Sequence, residues 1–186
     1  MKEESVSVKQ GKKALFYLIV QYQTDKIEAE RTIQMGNGNR GNTMIIKNGL
    51  VFTPEGKFEK KDFYIEGEYV AKETTDNKEV EAEGCYVIPG LVDIHFHGCV
   101  RHDMCDGTEE SIQALADYEA ANGVLAICPA TMTIPEEELF QAMNAAREHK
   151  NGKGADLVGI NMEGPFVNKE KKGAQKEEDI KLADVE

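Results

Sequence analysis

Two stretches of the sequence hold side chains whose types and spacing can do chemistry. The first reads Val87-Ile88-Pro89-Gly90-Leu91-Val92-Asp93-Ile94-His95-Phe96-His97-Gly98. In an extended strand successive side chains point to opposite faces, so Asp93, His95 and His97 share one face while Val92, Ile94 and Phe96 pack the other. Two imidazoles two residues apart on one face can chelate a metal ion, and Gly98 lets the backbone turn sharply where the strand ends. Asp93 suits a supporting role, orienting a histidine or closing a strand-end hydrogen bond.

The second stretch reads Gly159-Ile160-Asn161-Met162-Glu163-Gly164-Pro165-Phe166-Val167-Asn168, followed by Lys171-Lys172-Gly173-Ala174-Gln175. Glu163 closes an apolar run just before a Gly-Pro break, which places its carboxylate at a strand end, the position where α/β barrels carry their active sites. There it can ligate the ion that the histidines hold; taken alone, it reads as a solvent-facing glutamate at a turn, since strand-end glutamates are common and metal ligands rare. Thr131, after Cys128-Pro129-Ala130, either faces the same site or shapes its loop. His102, Asp103 and Asp106 line the mouth or form a polar loop, and Lys169, Lys171 and Lys172 read as a solvated charge run.

These groups need elements to hold them. From residue 88 the pattern alternates strand and helix: Leu91 to His97, Glu109 to Ala121, Val124 to Cys128, Glu136 to Lys150, Asp156 to Glu163. Such alternation predicts parallel strands with crossover helices. Thr108 is the expected N-cap of the first helix, with Gly123 past its end; Thr133 and Pro135 open the second and Gly152 closes it. Upstream, Met44 to Phe52 and Lys61 to Val70 are β-like, with Asn48-Gly49 and Glu66-Gly67-Glu68 as tight-turn candidates in a meander running to about Val87. The first 43 residues combine a charged start, one short apolar run and the Gly/Asn-rich stretch from Met35 to Asn42, which has almost nothing to bury against the entropy of ordering it. The expected division is therefore a flexible or spurious N-terminal extension over 1–43, part of a small β-sandwich over 44–87, and the first part of an α/β hydrolase barrel over 88–186.

Composition narrows the function further. With 34 acidic and 22 basic residues the net charge is -12, which repels nucleic acid and anionic membrane surfaces. The longest apolar run, Ala14 to Val20, is far short of the about 20 residues that cross a bilayer. Gln21-Tyr22-Gln23-Thr24 after it offers no small-residue cleavage site. The four cysteines, Cys85, Cys99, Cys105 and Cys128, lack CxxC spacing, so reduced thiols in a cytoplasmic protein are expected.

Pro89 to Gly98, Met162-Glu163-Gly164-Pro165-Phe166 and Lys171-Lys172-Gly173-Ala174-Gln175 occur in that order, and together they resemble the N-acetylglucosamine-6-phosphate deacetylases of the amidohydrolase superfamily. The resemblance begins at about Met44. It implies an α/β fold containing about the first three βα units of a (β/α)8 TIM-like barrel after a small, incomplete β domain. It implies a divalent metal ion, zinc or iron, with one or two ions bound; Glu163 is a ligand, and His95 and His97 give capacity for a second site. Ala174 and Gln175 would contact a small-molecule amino-sugar phosphate, and a full-length form would be a homodimer.

The implied reaction is metal-dependent hydrolysis of the acetamide of N-acetylglucosamine 6-phosphate to glucosamine 6-phosphate and acetate. The family's two further histidines and its catalytic aspartate have no counterpart here, so the resemblance implies a truncated form with no catalytic acid or base, inactive alone and prone to aggregate at open strand edges. Two other readings compete: an amidohydrolase of dihydroorotase or adenine-deaminase type, and a non-catalytic module that binds metal or sugar. The second and third motifs favour the sugar enzyme.

Overall fold

The computed structural model describes residues 17–21, 43–66, 69–74 and 78–183. The Gly/Asn-rich stretch and the turn expected at Gly67 lie outside the described residues. The chain divides into two compact units, with the boundary between Pro89 and Gly90.

The first unit is a sheet of six strands: β1 (Tyr17–Gln21), β2 (Met44–Phe52), β3 (Phe58–Glu66), β4 (Tyr69–Ala71), β5 (Glu79–Glu81) and β6 (Cys85–Pro89). Their order is β1-β6-β2-β3-β4, with β5 also paired to β2. Residues 17–21, inside the segment assigned to an extension, run antiparallel to β6. Along β2, Met44, Ile46, Gly49 and Val51 are buried, so the alternation slips by one residue at Asn48. The register against β3 slips at the same place, from Ile46 opposite Phe63 to Gly49 opposite Lys61.

The Asn48-Gly49 pair is therefore a bulge inside one long strand and not the tight turn expected of it. Asn48 takes the left-handed backbone, φ 61, that asparagine tolerates better than most residues. Its N–H donates to Asp62 Oδ1 at 3.0 Å and its side-chain amide to Glu81 at 3.1 Å. Glycine is needed beside it, because a Cβ on Gly49 would sit 2.6 Å from Val87 Cγ2.

The second unit contains β7 (Leu91–Asp93), β8 (Gly98–Cys99), β9 (His102–Asp103), α1 (Glu109–Ala121), β10 (Val124–Ile127), α2 (Glu136–Glu148) and β11 (Asp156–Leu157). β7, β10 and β11 form a parallel sheet in the order β11-β10-β7, as the alternation predicts. The strands are shorter than expected, ending at Asp93, Ile127 and Leu157. Even so, the three chains stay side by side past those ends through Cys128 N to Asp93 O (2.8 Å), Ala130 N to Phe96 O (2.7 Å) and Asn161 N to Pro129 O (3.0 Å). Pro129, lacking an N–H, interrupts a continuous ladder there.

Thr108 caps α1 by accepting from Ser111 N, and the helix buries Ile112, Leu115, Ala116, Glu119 and Ala120 on one face. Leu115, Ala116 and Ala120 pack with Ile127 and Ala155, and Phe96 joins that cluster. Phe96 alone of the three apolar residues around the histidines is drawn in: Val92 is 52% and Ile94 68% exposed. α2 starts after Pro135 without a side-chain cap, and His149 ends it before Gly152. Thr133, expected to open this helix, is buried, and its N–H is given to Gln175. No helix among the described residues is long and apolar enough to cross a membrane.

Candidate metal centre

All the residues of the site follow the C-terminal ends of the three parallel strands. His95 and His97 come after β7, Thr131 after β10, and Asn161 and Glu163 after β11. Phe96, held in the core cluster, forces the histidines on either side of it onto the opposite face. Their rings meet edge to face with centroids 5.2 Å apart. His95 Nε2 and His97 Nε2 each lie 3.3 Å from Glu163 Oε2.

These three side chains form a group whose ligand atoms all lie within 4.8 Å of one another. Donors arranged tetrahedrally around zinc, at metal distances of about 2.0–2.2 Å, stand about 3.4 Å apart. The spacing seen and the neutral-nitrogen and carboxylate donor set both fit a divalent cation. The group is also only partly exposed, so an ion there would be open to a small ligand.

A second layer of contacts holds the three donors. Asn161 Nδ2 donates to Ile94 O and reaches His95 Nδ1, each at 3.0 Å, which fixes the tilt of that ring. His97 Nδ1 is buried with no hydrogen-bond partner among the described residues. Asp93 Oδ1 accepts His95 N at 2.9 Å, the strand-end hydrogen bond foreseen for it. Glu163 N donates to Thr131 Oγ1 at 3.2 Å, and Gln175 Nε2 donates to Glu163 Oε1 at 2.5 Å.

Gln175 is buried, whereas Ala174 beside it is exposed. Asp103 and Asp106 do not reach the site; they cap the 3-10 turn Met104–Asp106, and Asp106 also accepts from Ser111 Oγ at 2.8 Å. His102 Nδ1 is spent on the same serine, at 3.1 Å. Burial pushes the nearby Cys105 thiol up to about 11, although its sulfur accepts Met132 N at 3.2 Å. The sequence reading missed Asn161 as a partner of His95. The signal was present, since Asn161 precedes Glu163 by two residues and shares its face of the extended segment.

No family model matches the chain. Among curated proteins it is 32% identical over 148 residues to the N-acetylglucosamine-6-phosphate deacetylase of Bacillus subtilis (strain 168), covering 76% of this chain and 36% of that protein. It is 27% identical over 150 residues to the N-acetylgalactosamine-6-phosphate deacetylase of Escherichia coli O157:H7, covering 77% of this chain and 40% of the other. A solved structure of N-acetylglucosamine-6-phosphate deacetylase from Pasteurella multocida superposes with a TM-score of 0.68 at 19% identity, over 77% of this chain and 40% of that one, a likeness of fold. The chain thus spans less than half the length of the relatives it matches.

Proposed function

We propose, for a chain homologous to the N-acetylglucosamine-6-phosphate deacetylases, that the second unit is the opening of a (β/α)8 barrel and carries part of the site of a metal-dependent amide hydrolase. In this reading β7, β10 and β11 are the first three barrel strands, and the sheet unit is the incomplete β domain before them. One observation carries it: side chains from two separate strand ends bring donor atoms to a shared point with 3.3 Å spacings. His95 and His97 through Nε2, and Glu163 through Oε2, would hold zinc or iron.

When bound, such an ion supplies Lewis-acid polarisation of the acetamide carbonyl and lowers the pKa of water. The chain's own residues prepare for that. Phe96 and Asn161 fix the imidazoles, and the segment around Ala174 faces solvent where it can meet the sugar. The substrate class is an amino-sugar 6-phosphate bearing an acetamide, and the products are the free amine and acetate. A cytoplasmic location agrees with four cysteines that lack CxxC spacing, and the full-length form would be a homodimer. Expelling an amine needs a general acid, and the motifs supply none, so the chain alone is expected to bind metal without releasing acetate.

The test is zinc uptake by equilibrium dialysis, with acetate release assayed on the N-acetylglucosamine and N-acetylgalactosamine 6-phosphates. One ion per chain is expected, and His95→Ala, His97→Ala and Glu163→Ala should each weaken it by about tenfold or more. Zinc retention by the triple variant equal to that of the wild type sinks the reading.

A further inference from the structure

Gln175 is 4% exposed, and both ends of its amide are engaged. Oε1 accepts Thr133 N at 2.5 Å, while Nε2 donates to Glu163 Oε1 at 2.5 Å and reaches Met132 Sδ at 3.7 Å. Its backbone is anchored as well: Gln175 N donates to Lys172 O, and Lys172 Nζ donates to Gln175 O, each at 3.1 Å. Thr133 follows β10 and Glu163 follows β11, so this one side chain ties the ends of two neighbouring strands together. It also divides the carboxylate, leaving Oε1 on the amide and Oε2 on the imidazoles.

We propose that Gln175 is a positioning residue for Glu163, holding the carboxylate so that Oε2 faces the metal position. The inference rests on the metal reading of His95, His97 and Glu163 and adds to it. An unrestrained carboxylate can rotate about its terminal bond and present either oxygen, or both. Fixing one oxygen removes that freedom before an ion arrives, which raises affinity by preorganisation.

The experiment is a Zn2+ titration of the 186-residue chain with no sugar present, arranged as a double-mutant cycle. Gln175→Met keeps the length and removes the amide; Gln175→Asn keeps the amide and shortens the reach by one methylene. Gln175→Met should weaken Zn2+ binding about 10- to 100-fold, with Gln175→Asn in between. In a Glu163→Ala background the same change should alter affinity less than about twofold, because the residue through which Gln175 acts is gone. The Co2+ absorption spectrum should shift in Gln175→Met at saturating metal, a signature that lost stability alone would not produce.

Unchanged Zn2+ affinity in both Gln175 variants overturns the inference, as does an equal loss with and without Glu163. If Gln175→Met fails to fold, Gln175→Asn is read through the same cycle. A wild-type chain that binds zinc no better than Glu163→Ala removes the metal reading and this inference together, an outcome distinct from tight wild-type binding that is indifferent to Gln175.

Discussion

Gly164, the residue after Glu163, has φ 82, and a Cβ placed on it would collide with Thr133 Oγ1. Both facts demand glycine, since the left-handed backbone strains other residues and the threonine is itself buried. Gly164→Ala should therefore destabilise the second unit by about 1–3 kcal/mol in urea unfolding and weaken zinc binding, because the displaced backbone carries Glu163 with it. Cys105 gives a second prediction at this scale. Burial is the largest cause of its raised pKa of about 11, so the thiol stays protonated, and the thiolate is the reactive form. Iodoacetamide at pH 7.5 should leave Cys105 unmodified in the folded chain, as read by peptide mass mapping, with labelling rising only as the pH approaches that value.

Among the elements, α1 carries most of the contact with the sheet and also a cost. Glu119 lies on its buried face at 9% exposure, and burial, with a smaller contribution from the charge of Asp93, raises its pKa above the ordinary 4.5. A raised carboxylate pKa means that the folded state holds the proton more tightly than the unfolded one. Its stabilising contribution is complete below about pH 4.5 and is lost as the pH climbs through the folded value. Glu119→Gln should accordingly raise the melting temperature at pH 7, with the gain shrinking when both proteins are melted at pH 4. Thr108 makes the opposite contribution, its hydroxyl accepting Ser111 N at 3.1 Å. Thr108→Ala should cost about 1 kcal/mol.

At the scale of the whole molecule, the three-stranded parallel sheet has β7 and β11 as its outer strands among the described residues. Large apolar side chains stand in solvent next to both: Val92 and Ile94 by the first, Val158 (60%) and Met162 (51%) by the second. Unpaired edges with exposed apolar residues template association. The chain alone should self-associate at concentrations above the micromolar range in light scattering, and Ile94→Lys should reduce this by placing charge on the open edge.

The sequence by itself determined the alternation of strand and helix after residue 88, because apolar patterning and the Thr108 cap of α1 are local signals. It also marked His95, His97 and Glu163 as groups able to share an ion, since residue type and position at a strand end are written in one dimension. Tertiary structure decided the rest. Asn48-Gly49 carries the letters of a turn, and only pairing with β3 and the closeness of Val87 made it a bulge. Thr133 and Gln175, 42 positions apart, meet because β10 and β11 run parallel and bring their following loops to the same end. A side chain's partner across such a gap is set by which strands pair, and no local spacing encodes that choice.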